Sequence, residues 1–185
     1  LEADFSPSIS LERAFYSKFI KRMVDIVDSA PTNVGGFLTS YYYIRFETIN
    51  LKRILRGKIS AFTPERINST LIPMPPYGVK TYDNLLKAKN VEEVLTLLKN
   101  SKYSKIAEMQ EKYIQEQSIQ FLEQELDQIS LKNINSALKH ISFSEGRIIH
   151  KIMKIEADIE NFLQAVKIGR NKSESKTINV KETFP

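Results

Sequence analysis

The sequence predicts an all-α fold, and three observations support this prediction. Apolar residues recur three and four positions apart along most of the 185 residues, which is the spacing of a helix with one buried face. Only 6 Gly and 7 Pro interrupt the chain, fewer turn residues than a fold of many short strands needs. Apolar residues make up 42% of the composition, so a sizeable core is expected and general disorder is not.

Turn residues delimit the first two predicted helices. The first runs from residue 11 towards residue 28 with Ser10 as its cap, and it ends before Pro31 because proline disfavours helical geometry in the preceding residue. Gly35 and Gly36 predict a bend, after which a second helix covers about residues 37–58. Each helix has an apolar stripe: Phe15, Phe19, Met23, Ile26 and Val27 in the first, and Ile44, Thr48, Leu51 and Leu55 in the second.

Capping residues mark the shorter helices that follow. Thr63-Pro64-Glu65 supplies a hydroxyl cap, a proline at the first helical position and an acid in the first turn. Thr81 is the predicted cap of a short helix through residue 86, and Asn90 with Glu93 resembles a capping box for a helix through residue 99. Four residues break the chain between the first two of these helices: Pro73, Pro75, Pro76 and Gly78.

Helical spacing continues through the rest of the chain. Residues 103–140 predict helix with at least one interruption, and a last long helix is predicted over about residues 145–169. Its apolar stripe consists of Ile148, Ile152, Ile155, Ile159, Phe162 and Val166.

The sequence matches itself when it is shifted by 111 residues. Coincident helix periods would not also fix the lengths of the loops, and one offset holds across two helices, the loop between them and the start of a third. Apolar positions match apolar ones and polar positions match polar ones: Leu11 with Leu122, Phe15 with Leu126, Met23 with Ile134, Phe37 with Ile148, Tyr41 with Ile152, Ile44 with Ile155, Leu51 with Phe162, Glu47 with Asp158, Asn50 with Asn161 and Arg56 with Lys167.

This repeat predicts a stack of related helical units, each of which buries part of its surface against its neighbour. Residues 1–117 form one predicted unit, and residues 118–185 form a second, incomplete one. An earlier unit is expected to be missing, and the sequence does not begin with Met. Structural roles are predicted for the polar residues of the repeated helix: Glu47, Asn50, Arg53, Arg56, Asp158, Asn161 and Lys167.

Residues 46–58 and 154–162 resemble the acidic-x-x-Asn-Leu-Arg-x-x-x-Arg helix of the C subunits of archaeal and bacterial A/V-type ATP synthases, relatives of the d subunit of eukaryotic V-type ATPases. Leu71-Ile72-Pro73 with Gly78 is similar to that family's Leu-Ile-Pro-x-Gly segment, and residues 122–127 are similar to its Leu-Glu-x-x-Leu-Asp opening. The order and spacing of these motifs carry the resemblance. The chain departs from it at Phe162-Leu163-Gln164, where the motif has Leu-Arg-x.

The resemblance implies a funnel of three related helical units, of which this chain supplies the last two. It implies a non-catalytic central-stalk subunit, a socket that joins the membrane rotor ring to the central axle and transmits torque. Its implied partners are the proteolipid ring subunits and the axle subunits of the same complex. Its implied location is cytoplasmic and peripheral to the membrane, and no apolar run approaches the roughly 20 residues that span a bilayer.

The residue types offer little for catalysis or for cofactor binding. The absence of Cys excludes disulfides, thiolate catalysis and Cys-based zinc sites. His140 and His150 are ten residues apart, not the three or four that place two ligands on one helix face. No Gly-rich phosphate loop is present, so nucleotide binding is not expected. Neither an enzymatic activity, a cofactor nor a metal is therefore predicted.

A basic stripe on the second helix is the predicted partner-binding surface. Arg45, Lys52 and Arg56 share one face, and the net charge of the chain is +5. We expect this stripe to meet a protein with an acidic surface, without nucleic acid as a partner. Two alternatives remain open, a helical nucleic-acid-binding module and a generic helical scaffold, and salt-dependent binding to an arbitrary duplex distinguishes the first of them.

Overall fold

The computed structural model describes residues 7–76, 78–142, 146–156, 158, 159 and 162, and all regular structure among these residues is helical. The all-α prediction is therefore confirmed. The helices are α1 (Pro7–Ser29), α2 (Thr32–Ile59), α3 (Pro64–Thr70), α4 (Tyr82–Lys87), α5 (Val91–Leu98), α6 (Ser104–Ala107), α7 (Gln110–Glu116) and α8 (Gln120–Leu138). We call the helical residues 146–156, 158, 159 and 162 helix α9.

The chain divides after Ile141 into two compact units. Helices α1 to α8 lie in the first unit and α9 lies in the second. The repeat predicts a different division, at residue 117. That division is based on internal sequence similarity, and it stays a prediction. The repeat also predicts that Asn50 superposes on Asn161, and this stays a prediction because Asn161 lies outside the described residues.

Helix α2 lies at the centre of the first unit. Its residues Leu51, Ile54 and Leu55 share one hydrophobic core with Leu122 and Leu126 of α8 and with the apolar faces of the short helices. A second cluster lies towards α1, where Met23, Phe46, Ile72 and Met74 are buried beneath partly exposed aromatic rings. Each fully buried aliphatic side chain of this kind contributes about 1.5–3 kcal/mol, so α2 is stabilised from two sides.

The predicted caps of the short helices are confirmed. The Thr63 hydroxyl accepts a hydrogen bond from Arg66 N at 3.3 Å, and the Thr81 hydroxyl accepts one from Asp83 N at 3.1 Å. Asn90 Oδ1 accepts a hydrogen bond from Glu93 N at 3.0 Å, and the Glu93 carboxylate accepts one from Lys89 N. Short local motifs therefore set these helix starts, as side-chain oxygens do at free backbone N–H groups.

Two predictions about the first helices were wrong. Helix α1 begins at Pro7, so Ser10 lies inside it and is not its cap. Gly35 and Gly36 lie inside α2 and make no bend. A Cβ on Gly35 would lie 2.9 Å from the carbonyl oxygen of Val27, so the glycine allows the end of α1 to approach the start of α2 closely.

At least one interruption was predicted between residues 103 and 140, and the structure has two, at residues 108–109 between α6 and α7 and at residues 117–119 between α7 and α8. Gln117 ends α7 in the left-handed conformation with a φ of 50°, and its N–H donates to the carbonyl of Tyr113. Within the part of the chain that the structure describes, no helix has the length and apolar character that crossing a bilayer requires.

Candidate functional site

Glu47 of α2 is the most buried carboxylate among the described residues, with 2% of its surface exposed. Its oxygens accept hydrogen bonds from the N–H groups of Gly78 and Val79 in the loop after α3, at 2.8 and 3.3 Å. They also accept one from the Tyr103 hydroxyl at 2.7 Å, and Lys102 Nζ lies 2.9 Å away. A carboxylate removed from water needs such donors, so the loop and the turn before α6 are both held to α2.

A glycine makes room for this ion pair. A Cβ on Gly78 would lie 2.1 Å from Cε of Lys102, so a side chain at that position would displace the lysine from Glu47. The backbone N–H of Gly78 is at the same time a donor to the carboxylate. Gly78 therefore donates a hydrogen bond to the Glu47 carboxylate and also leaves room for the Lys102 side chain.

Asn50 extends the contact one helical turn further. Its amide nitrogen donates to the carbonyl of Ile72 at 3.0 Å, and its amide oxygen accepts from the N–H of Ile72 at 2.8 Å. Asn50 is completely buried. An asparagine side chain that satisfies both backbone groups of one residue fixes the loop in the way a neighbouring strand would.

Arg53 is the third residue on this face of α2. Its guanidinium donates to the carbonyl of Thr70 and to Glu12 of α1, the latter at 2.5 Å, and it lies over the ring of Tyr16. Residues 47, 50 and 53 therefore fasten the loop after α3 along two turns of α2. We call Glu47, Asn50 and Arg53, with Lys102 and Tyr103, the loop clamp.

The two tyrosines beside Glu47, the buried Tyr103 and the partly buried Tyr82, are held in their protonated form. Burial raises the pKa of Tyr103 far above its usual range, and the charge of Glu47 raises it further. Burial likewise raises the pKa of Tyr82, which hydrogen-bonds Asn50 and lies near the same carboxylate. Both phenols remain neutral at any physiological pH and can act as donors, which suits a structural polar cluster.

The adjacent edge of α2 is paired with α8. Lys52 Nζ lies 2.5 Å from Asp127 Oδ1, and Arg56 makes two hydrogen bonds to Glu123, at 2.5 and 2.8 Å. The hydrogen bond to Glu123 raises the pKa of Arg56. Lys52 meets the later acid and Arg56 the earlier one, so the two helices run antiparallel.

These ion pairs bear on the predicted basic stripe. Lys52 and Arg56 face carboxylates of α8, whereas the Arg45 guanidinium lies 5.5 Å from the centre of the Tyr41 ring. Two of the three residues, Lys52 and Arg56, therefore already face an acidic surface that belongs to the same chain. Binding of an external partner by Arg45, Lys52 and Arg56 stays a prediction.

The polar residues predicted from the second half of the repeat are placed less completely. Asp158 lies on α9 and is exposed, while Asn161 and Lys167 lie outside the described residues. Among the residues that the structure describes, no group of three or more His, Cys, Asp or Glu could hold a metal ion.

The sequence did not assign roles to Lys102, Tyr103, Glu123 and Asp127. One signal was available for the last two. The bases Lys52 and Arg56 are four residues apart, and so are Glu123 and Asp127, which is the spacing that lets two helix edges pair charge by charge. No comparable spacing leads from Glu47 to Tyr103.

Comparison with known proteins adds an independent finding. The model of the ATP synthase (C/AC39) subunit family matches residues 2–184. The chain is 24% identical over 172 residues to the C subunit of the A-type ATP synthase of Haloferax volcanii, a match that covers 92% of the chain and 49% of the relative. It is 22% identical over 160 residues to the corresponding protein of Thermococcus kodakarensis, covering 86% of the chain and 42% of the relative.

A third relative is the C subunit of the A-type ATP synthase of Methanocaldococcus jannaschii, 29% identical over 121 residues that make up 64% of the chain and 30% of the relative. The chain therefore spans about half or less of the length of the curated relatives it matches. No solved structure matches it.

Proposed function

Since the chain belongs to the ATP synthase (C/AC39) subunit family, we propose that it is a non-catalytic central-stalk subunit of an A/V-type ATP synthase or ATPase. In this proposal it acts as a socket that joins the membrane rotor ring to the central axle and transmits torque between them. The family match over residues 2–184 is the observation that carries the proposal.

The bracing of α2 supports a mechanical role. This helix has 28 residues and is therefore about 42 Å long. The loop clamp holds one side of it, and the ion pairs with Asp127 and Glu123 hold another edge. A helix that transmits force must resist sliding against its neighbours, and directional contacts at several points along its length provide that resistance.

The proposed partners are the ring subunits and axle subunits of the same complex, met at the periphery of the membrane. Arg56 keeps 62% of its side chain exposed although it is paired with Glu123, so a partner carboxylate can add to this pair. Rim charges of this kind affect the rate and the salt dependence of docking more than the stability of the fold. Arg45 and Arg56 are the residues of the basic stripe on which we base this contact.

Co-purification tests the proposal. The tagged chain, produced in a cell that contains an A/V-type complex, is expected to bring ring and axle subunits with it from detergent-solubilised membranes. Arg45→Glu is expected to reduce that yield, whereas Arg66→Glu, a change of the same charge on α3, leaves it unchanged. Recovery of neither kind of subunit by the wild-type chain would overturn the proposal.

A separate assay addresses the absence of catalysis. The purified chain alone is expected to hydrolyse no ATP and to show no rise in melting temperature with nucleotide. Ligand at 100 times its dissociation constant would add about 2.7 kcal/mol of stability, so binding would be detected readily. A reproducible rise with nucleotide would contradict a purely mechanical role.

A further inference from the structure

A cavity borders both of the segments that hold the Glu47 carboxylate. Gly78 and Val79, whose N–H groups donate to that carboxylate, line the cavity from the loop after α3. Ser101, which directly precedes Lys102 of the loop clamp, lines it from the turn after α5. All the lining residues lie in the first compact unit, between residues 78 and 101. The cavity is therefore formed by the middle of one unit alone.

Leucine side chains form the apolar part of the lining. Leu85 and Leu98 are 3% and 1% exposed, whereas Leu97 is 45% exposed. The volume of the cavity is about 230 Å³, below the roughly 300–1,000 Å³ of pockets that hold drug-sized ligands. The space therefore suits a small molecule, and a short carbon skeleton in it would cover the exposed part of Leu97.

The polar part of the lining consists of hydrogen-bond donors. Lys80, Asn84 and Asn100 are exposed, and none of the three makes a hydrogen bond or an ion pair within the part of the chain that the structure describes. Among the described residues that line the cavity, none carries a carboxylate. An ammonium group and two side-chain amides without an opposing negative charge favour an anionic group, to which all three can donate.

We propose that this cavity is a binding site for a small organic anion, a molecule with a carboxylate or phosphate group on a short carbon skeleton. The anionic group accepts hydrogen bonds from Lys80 and the two asparagine amides, and the carbon skeleton contacts Leu97. Lys80 belongs to the loop after α3 and Asn100 to the turn after α5, so one bound molecule joins the two segments. The inference does not rest on the proposed stalk function.

Binding is expected to strengthen the loop clamp. Gly78 and Val79 donate to Glu47 and border the cavity at the same time, so a ligand that holds the loop also holds these hydrogen bonds. A ligand that binds only the closed loop suppresses its opening roughly 100-fold when present at 100 times its dissociation constant. Hydrogen exchange of the two amide groups measures this opening.

The experiment uses the full chain and three probes, succinate, glycerol 3-phosphate and inorganic phosphate. Isothermal titration calorimetry at constant ionic strength is expected to show one site per chain for at least one of the two organic anions. Inorganic phosphate is expected to bind more weakly, because it has no carbon skeleton to contact Leu97. With the organic anion bound, hydrogen exchange is expected to slow at Gly78 and Val79 more than in α1, which contributes no residue to the cavity.

A pair of lysine variants locates the site. Lys80→Gln is expected to weaken binding about tenfold, the loss of one charge-assisted hydrogen bond at an exposed position. Lys87→Gln is the matched control, since Lys87 is an exposed lysine of α4 that does not line the cavity, and it is expected to keep the affinity within about twofold. Both side chains are exposed, so the melting temperature without ligand is expected to be the same in both variants.

Four results would overturn the inference. Absence of binding by both organic anions means that the cavity takes no such ligand. Equal affinity for inorganic phosphate means that the carbon skeleton is not recognised. Equal losses of affinity in the two lysine variants mean that the anion is attracted by the general positive charge of the chain. Binding without slower exchange at Gly78 and Val79 means that the anion occupies a different place.

Discussion

The hydroxyl of Tyr103 lies 2.7 Å from the carboxylate of Glu47, and the two side chains are 0% and 2% exposed. They are 56 residues apart in sequence, so this single hydrogen bond ties the turn before α6 to the middle of α2. The bond is charge-assisted and is made where water cannot replace it, the setting in which removing a donor is most costly.

Replacing Tyr103 by Phe is expected to lower the free energy of unfolding by about 1.5–3 kcal/mol, because Glu47 loses a donor and remains buried. Urea denaturation measures the change. Tyr113→Phe is the matched control, since Tyr113 is a buried tyrosine of the same core cluster, and it is expected to cost less. Equal losses of unfolding free energy in the two variants would mean that the hydrogen bond from Tyr103 to Glu47 contributes no additional stability.

Stability is expected to fall as the pH rises above about 10, the usual pKa of tyrosine. The pKa values of Tyr103 and Tyr82 are raised in the folded chain, so the unfolded chain releases these protons first. Each tyrosine adds a slope of about 1.4 kcal/mol per pH unit, and its contribution is fully present below pH 10. Unfolding curves between neutral and alkaline pH test this, and Tyr103→Phe should reduce the slope; an unchanged slope would contradict the assignment.

Reversing the charges of Lys52 and Arg56 together is expected to destabilise the chain by roughly 1–2 kcal/mol, since both pairs with α8 are partly exposed. Reversing Glu123 and Asp127 as well, to Arg and Lys, should restore most of the loss. Thermal melting at low and high salt measures both effects, because exposed pairs are screened by salt. Arg45→Glu serves as the control on the same stripe, and failure of the four-residue swap to rescue stability would show that the pairs contribute little.

Two glycines of α2 are expected to respond in opposite ways to alanine. Gly36 has open space around its Cβ position, so Gly36→Ala should stabilise the chain by about 0.5–1 kcal/mol through helix propensity. A Cβ on Gly57 would lie 2.5 Å from the Ile67 side chain, so Gly57→Ala should destabilise it by about 1–3 kcal/mol despite the same gain in propensity. The denaturation midpoints of the two variants test these expectations. If Gly57→Ala were as stable as the wild type, α3 would have to move away from α2 without a loss of stability.

The sequence predicted the features that local chemistry controls. The caps at Thr63, Thr81 and Asn90 lie within a few residues of the N–H groups they bind, so their spacing alone reveals them. The apolar stripe of α2 was equally readable, and its residues Ile44, Leu51 and Leu55 are buried as expected. Helix propensity and the spacing of apolar residues are sufficient to predict such features, because no residue distant in sequence takes part in them.

The features that join distant segments were not readable in the same way. Lys52 and Asp127 are 75 residues apart, and their pairing depends on how α8 packs against α2. Phe15 and Ile26 were assigned to the apolar stripe of α1, yet they are 66% and 59% exposed. The spacing of apolar residues defines a face of the helix, but it does not show whether another element covers that face. A structural role was predicted for Glu47, but its pairing with Lys102, which lies in the turn before α6, required the fold.

The left-handed residue at Gln117 begins a link of three residues between α7 and α8. Because α8 is held to α2 by shared apolar core and by two ion pairs, its attachment does not depend on the covalent continuity of that link. A chain cut at residue 118 by a protease should keep both pieces together in native buffer and release them only in denaturant. The same property makes this link a natural point at which to divide the gene into two fragments that reassemble when they are co-expressed.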